Sequence, residues 1–130
     1  MLQQDKELLF KDISARLPYR TMVKCITDYH HEFDEELSDI HIMNFYQFDV
    51  KPYLRPMSSM TDEEIKDLQK INCQFCFNKF DNFAYVGAAD DGFCSVEEMC
   101  NILDYLNSHH FDYRGLIEKG LALEAPEGMY

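Results

Sequence analysis

The stretch FCSVEEMCNILDYLNSHHFDYRGLIEKGLALEAPEGMY, residues 93–130, decides the fold. Ser95 is placed to cap a helix. Its hydroxyl can accept an amide of the first turn, and Glu98, three residues on, can reach back to the Ser95 amide. Cys94 and Met99 occupy the two apolar positions that staple such a cap. Val96, Met99, Cys100, Leu103 and Leu106 recur at helical spacing and predict one apolar stripe, widened by Ile102 and Tyr105. Asn107-Ser108 supplies a stop. A second, short helix is expected from Asp112 to Lys119, closed by Gly120. Leu116, Ile117, Leu121 and Leu123 would then face the first helix or a sheet. This density of apolar residues predicts a chain tied down to about Leu123.

Working outward from that stretch, a second capping signature stands at Thr61. Glu64 completes the box, Met60 and Ile65 form the staple, and the helix should run to about Lys70 with Ile65 and Leu68 inward. Residues 71–80 and 82–88 read as two strands joined near Asp81-Asn82, with a helix over 76–86 as the alternative. Asp90-Asp91-Gly92 is a turn. Residues 4–17 predict a helix with Leu8, Leu9, Ile13 and Leu17 near one face, closed by Pro18. Arg20–Thr27 alternates as a strand, with Val23 and Cys25 on one face and Met22, Lys24 and Ile26 on the other. Residues 28–39 read as a loop or a strand connection. Residues 40–50, IHIMNFYQFDV, read as a central strand or as two short strands kinked near Asn44. Pro52 and Pro56 argue for an edge or extended connection over 50–56. The sum is α+β: a small antiparallel sheet packed against helices, with a capped C-terminal helix and a short final helix.

The chain has 130 residues, the size of one domain, 1–130. Ten Phe and eight Tyr with no Trp predict an aromatic-rich core. No run approaches the roughly 20 apolar residues of a membrane span. MLQQDKELLF carries acidic charge and no small-residue cleavage site, so a signal peptide is not expected. Five cysteines at irregular spacing, Cys25, Cys73, Cys76, Cys94 and Cys100, predict free thiols, most of them in the core, in a cytoplasmic protein.

Acids number 24 against 12 bases, a net charge of -12. Such a balance disfavours binding to nucleic-acid phosphates and to anionic membranes. It favours solubility, a basic protein partner or mimicry of a polyanion, and a plain solvated surface is the default reading of most of these acids. The acids are densest in DYHHEFDEELSD. Asp28, Glu32, Asp34, Glu35, Glu36 and Asp39 lie there without a Lys or Arg, and they form the candidate interaction surface.

Other chemistry is weaker. Asp91-Gly92 with Glu98 matches the second half of a calcium loop, but Gly87 and Ala89 stand where the first ligands belong. Cys73-x-x-Cys76 is half a zinc hook with no second hook. His30, His31, His41, His109 and His110 make no metal-binding spacing. His31 beside Glu32, or His110 beside Asp112, are the nearest to an acid–base pair, and His109-His110 suits a helix end where positive charge is favoured. No residue is therefore assigned to catalysis, to a cofactor or to a metal. A small metal-binding or hydrolytic protein using Cys73, Cys76 and the histidines is the alternative function.

Two stretches, VKPYLRPMSSMTDEE (50–64) and LNSHHFDYRGLIEKGLALEAPEGMY (106–130), resemble a large group of short proteins from gut-associated bacteria and their phage-like or other mobile elements. The resemblance implies a bacterial, intracellular, mobile-element setting. It brings no activity and no site residues with it. The expected function is that of an acidic intracellular interaction or accessory protein, with a homo-oligomer as a further possibility.

Overall fold

The computed structural model describes residues 2–27, 31–78, 83–86 and 94–130. The elements are α1 (Gln3–Arg16), β1 (Met22–Ile26), β2 (Glu32–Glu36), α2 (Asp39–Met43), β3 (Asp49–Pro56), α3 (Asp62–Ile71), β4 (Phe75–Asn78), β5 (Phe83–Val86), α4 (Val96–Ser108), β6 (Phe111–Asp112) and β7 (Leu123–Glu124). Short 3-10 turns follow α1 and β3. The fold is α+β, but the main sheet is mixed. β1 pairs antiparallel with β2 and β3, whereas β6 and β7 run parallel to β3. β4 and β5 form a separate antiparallel hairpin.

The local signals at the caps hold. Thr61 Oγ1 accepts from Glu64 N (3.2 Å) and Glu64 Oε1 accepts from Thr61 N (2.9 Å). Ser95 Oγ accepts from Glu98 N (3.0 Å), and Glu98 Oε1 accepts from Ser95 N (3.3 Å). The buried face of α4 is nevertheless rotated from the expected one. Ile102 and Leu106 are buried, while Val96, Met99, Cys100 and Leu103 are exposed. The apolar arc of α4 is wider than one stripe, and its Met99–Leu103 side borders a groove rather than the core.

Three longer-range expectations fail. No final helix spans 112–119. Asp112 instead accepts from Leu116 N and Ile117 N (2.9 Å each) and folds the segment into turns that bury Leu116 and Leu121. Residues 39–43 form α2, not a strand. The His41 ring, in the place a Glu or Gln usually takes, accepts from Ser38 N through Nδ1 (3.0 Å) and closes the first turn. And β3, despite its prolines, is the strand with most neighbours. Leu54 O accepts from Ala125 N (2.8 Å), so Leu54 and, two residues earlier, Pro52 turn their backbone groups away from β1. The missing Pro52 N–H therefore costs the β1–β3 ladder nothing, and Pro56 ends the strand.

Two apolar clusters support the sheet. One joins Leu9 and Ile13 of α1 to Val23, Cys25, Val50, Leu54, Phe45 and Leu116. The other joins Met57, Met60, Leu68, Phe75, Ile102, Leu106 and Phe111. Each fully buried aliphatic side chain adds roughly 1.5–3 kcal/mol. Truncating Leu54, which is wholly buried, to alanine should cost about 2–5 kcal/mol.

Candidate functional site

The sheet ends at β2, and the register fixes what that edge presents. Leu37 N donates to Thr21 O (2.8 Å) and Thr27 N to His31 O (3.1 Å). These flanking bonds set the phase of the antiparallel ladder, so the odd-numbered residues of β2 bond to β1. The backbone N–H and C=O of Glu32, Asp34 and Glu36 therefore point outward, and among the described residues no strand pairs with them. The same three side chains share one face, because side chains alternate along a strand. Asp34 stands opposite Lys24 and accepts from the Tyr53 hydroxyl (2.7 Å). Burial first, and then this contact with Asp34, pushes the Tyr53 phenol up to about 12. Glu36 pairs with Arg20 (3.1 Å), and Glu32 lies 3.9 Å from the Lys24 ammonium.

The candidate acids thus divide. Glu32, Asp34 and Glu36 line the edge together. Glu35 stands opposite Val23, on the core face. Asp39 is exposed in the first turn of α2. Asp28 lies outside the described residues.

On that core face Glu35 enters a cluster with Cys25 and His41. Cys25 Sγ, a Glu35 carboxylate oxygen and a His41 ring nitrogen all lie within 4.8 Å of one another. Cys25 and His41 are buried and Glu35 is partly exposed. His41 Nε2 contacts Glu35 Oε1 at short range. With Nδ1 accepting from Ser38 N, the neutral ring carries its proton on Nε2 and gives it to Glu35. Both ring nitrogens are then committed, and neither can take a proton from Cys25. Burial, with Glu35 and Asp49 adding to it, pushes the Cys25 thiol up from its ordinary value. The arrangement is the reverse of an activated cysteine nucleophile. Nothing in the sequence assembles this cluster, although the alternation puts Val23 and Cys25 on one face of their strand.

The other candidates are dispersed. Cys73 sits in a turn and Cys76 on β4, both exposed. Among the described residues neither joins a group of three potential ligands. Only Cys25 of the five cysteines is buried, which corrects the expectation of a mostly core set. His31 is exposed. His109 stacks on Tyr105 (3.9 Å between ring centroids). His110 is buried, stacks on Tyr130 (3.7 Å) and shares a hydrogen bond with Thr21 Oγ1 through Nδ1 (3.0 Å). Burial first, then Arg16, His109 and Arg55, lowers it to about 4. It is therefore neutral, not a cation at a helix end, and Asp112 is spent on backbone amides. Glu98 has both oxygens engaged, one by Ser95 N and one by Asn72 Nδ2 (2.9 Å), and Asp91 and Gly92 of the calcium pattern lie outside the described residues. His30 and the Asp81-Asn82 and Asp90–Gly92 turns also lie outside them.

A groove of about 730 Å³ opens between α4, the β4–β5 hairpin and residues 112–118. Phe75, Val86, Met99, Ile102 and Leu103 give it apolar walls, and Ser58, Asp112 and Glu118 also line it. Among the described residues no helix is long and apolar enough to cross a membrane. Comparison with protein-family models, with curated proteins and with solved structures finds no match to this chain.

Proposed function

We propose that this is a non-enzymatic, acidic interaction protein that takes an extended, basic segment of a partner protein as an added strand along β2. The observation that carries the reading is the outward set of backbone groups on Glu32, Asp34 and Glu36, framed by the same three carboxylates. Main-chain bonds to such an edge supply affinity, and alternate side chains supply selection. A partner strand with Lys or Arg at every second position would meet the acid row and would be steered to it by the charge of the whole chain. Two copies of this protein pairing β2 with β2 would instead set carboxylate against carboxylate, which is destabilising. The edge therefore favours a different, basic chain over self-association. The resemblance of residues 50–64 and 106–130 supports an intracellular bacterial setting and carriage by a mobile element.

Charged edges also serve to keep strands apart, and a binding experiment separates the two roles. The probe is a labelled peptide of alternating Lys and Val, followed by fluorescence anisotropy. Binding is expected to fall steeply as salt rises. Asp34→Asn should weaken it modestly. Asp34→Pro, which also deletes an outward N–H while sparing the β1 ladder, should abolish it. Equal binding by the Asn and Pro variants, or indifference to salt, would refute strand addition at this edge.

A further inference from the structure

We propose that Cys25, Glu35 and His41 form a binding site for one zinc-class divalent cation, with solvent completing its coordination. Three separate elements converge to make it. β1 supplies the sulfur, β2 the carboxylate and α2 the imidazole, and the donor atoms lie within 4.8 Å of one another. The diagonal relation of Cys25 and Glu35 across the β1–β2 ladder puts both on one face. His41 stands in the first turn of α2, where Ser38 Oγ lies 3.4 Å from Nδ1 and can accept the proton that ligation through Nε2 places there.

The donor set selects the ion. A thiolate with an imidazole suits zinc and its close relatives, whereas calcium and magnesium take oxygen ligands. Three protein ligands with one open position is also the zinc pattern of sites that keep a water. Charge points the same way. Thiolate and carboxylate together balance a divalent cation, so occupation leaves no net charge beside the buried core.

The protons balance as follows. Coordination replaces the Cys25 S–H bond with a metal–sulfur bond, and that proton leaves to solvent. Ligation through Nε2 moves the ring's one proton to Nδ1. There Ser38 Oγ, 3.4 Å away, accepts it, and the Ser38 N–H gives up its 3.0 Å bond to Nδ1 as the ring turns toward the hydroxyl. A tetrahedral ion with bonds of about 2.0–2.3 Å holds its donors roughly 3.3–3.8 Å apart. The partly exposed Glu35 side chain has room to make that adjustment.

The test uses cobalt(II) as probe, titrated into the full chain with its thiols kept reduced by a phosphine. The expected result is saturation at one equivalent, with a thiolate-to-cobalt charge-transfer absorption. Cys25→Ser should eliminate that absorption. Glu35→Gln, a change at a partly exposed position that should fold normally, should weaken binding by about tenfold or more. The double variant Cys73→Ser/Cys76→Ser should leave the titration unchanged. No charge-transfer band, a band that survives Cys25→Ser in folded protein, full affinity in Glu35→Gln, or a band lost with Cys73 and Cys76 would each overturn the site. The peptide titration on β2 reads out separately, so failure of one proposal does not decide the other.

Discussion

Arg16 and Asp12 form a wholly buried ion pair one helical turn apart, with Arg16 Nε 2.7 Å from Asp12 Oδ2 and Nη2 3.1 Å from Oδ1. The same guanidinium donates through Nη2 to Phe111 O (2.7 Å), so it fastens α1 to β6. Arg114 Nε lies 3.3 Å from Asp12 Oδ1. One carboxylate thus faces two guanidiniums, which lie on the Tyr113 ring at 5.2 and 5.3 Å.

Removing the charge of Asp12 should therefore cost far more than a surface pair would. A buried pair gains little over a well-packed apolar substitute, but stripping one partner strands the other in a dry interior, at about 3–5 kcal/mol. Asp12→Asn is expected to lower the unfolding free energy by that amount, read as a lower urea midpoint with little change in the slope of the transition. A variant as stable as the parent would mean that the pair is dispensable to folding.

The contrast between this pair and the helix caps explains what the sequence discloses. The Thr61 and Ser95 caps depend on residues three apart, so their geometry is local and legible. Asp12 and Arg16 also lie at helical spacing, yet spacing cannot say that this face is inward. Their burial depends on Phe111, 95 residues from Arg16. Residues 40–43 misled for a different reason: a histidine stands where a helix-capping acid is looked for, and the run Ile-His-Ile-Met has strand composition. Pro52 misled because its harmlessness depends on which way β3 turns its backbone groups. The Cys25–Glu35–His41 cluster needed the β1–β2 register and α2 together, and neither is written in local spacing.

His110 makes stability depend on mild acid. Its folded value, lowered to about 4 from 6.5, means that the folded state binds this proton less readily than the unfolded chain. The contribution is complete above about pH 6.5 and is lost as pH falls toward 4. The groups around it, Arg16 and Arg55 with Thr21 and Tyr130, offer no carboxylate to receive a charged ring. Unfolding free energy measured across that window should decline in the parent and decline less in His110→Asn. Parallel profiles would assign the decline to other groups.

Glu64 acts in a lower window. Its burial alone would raise the carboxyl, but two bonds from Arg55 (2.8 Å each) and the Thr61 N–H outweigh it and hold it at about 2. A depressed carboxyl contributes stability above about pH 4.5 that is lost as pH falls toward 2. Glu64→Gln should cost about 1.5–3 kcal/mol at neutral pH, since the bonds it weakens are charge-assisted. The variant should also flatten the acid limb of the stability profile between pH 4.5 and 2. An unchanged acid limb would place the lost stability elsewhere.

Tyr130 completes the sheet where strand pairing stops. The β1–β3 register runs from Ile26 opposite Asp49 to Val23 opposite Pro52, and one step further the hydroxyl of Tyr130 stands between the chains. It accepts from Met22 N (2.9 Å) and donates to Tyr53 O (2.7 Å), bridging two groups that would otherwise bond to each other or to water. Tyr130→Phe keeps the ring on His110 but leaves both backbone groups without that partner, at a cost of about 1–3 kcal/mol. Faster exchange of the Met22 amide hydrogen in Tyr130→Phe would locate the loss at this point. Tyr130→Ala should go further. Uncovering His110 removes part of the burial that lowers it, so its folded value should rise toward 6.5 and the mild-acid decline should shrink. An NMR titration of the His110 ring that is identical in Tyr130→Ala and the parent would show that the stacked tyrosine does not keep that imidazole dry.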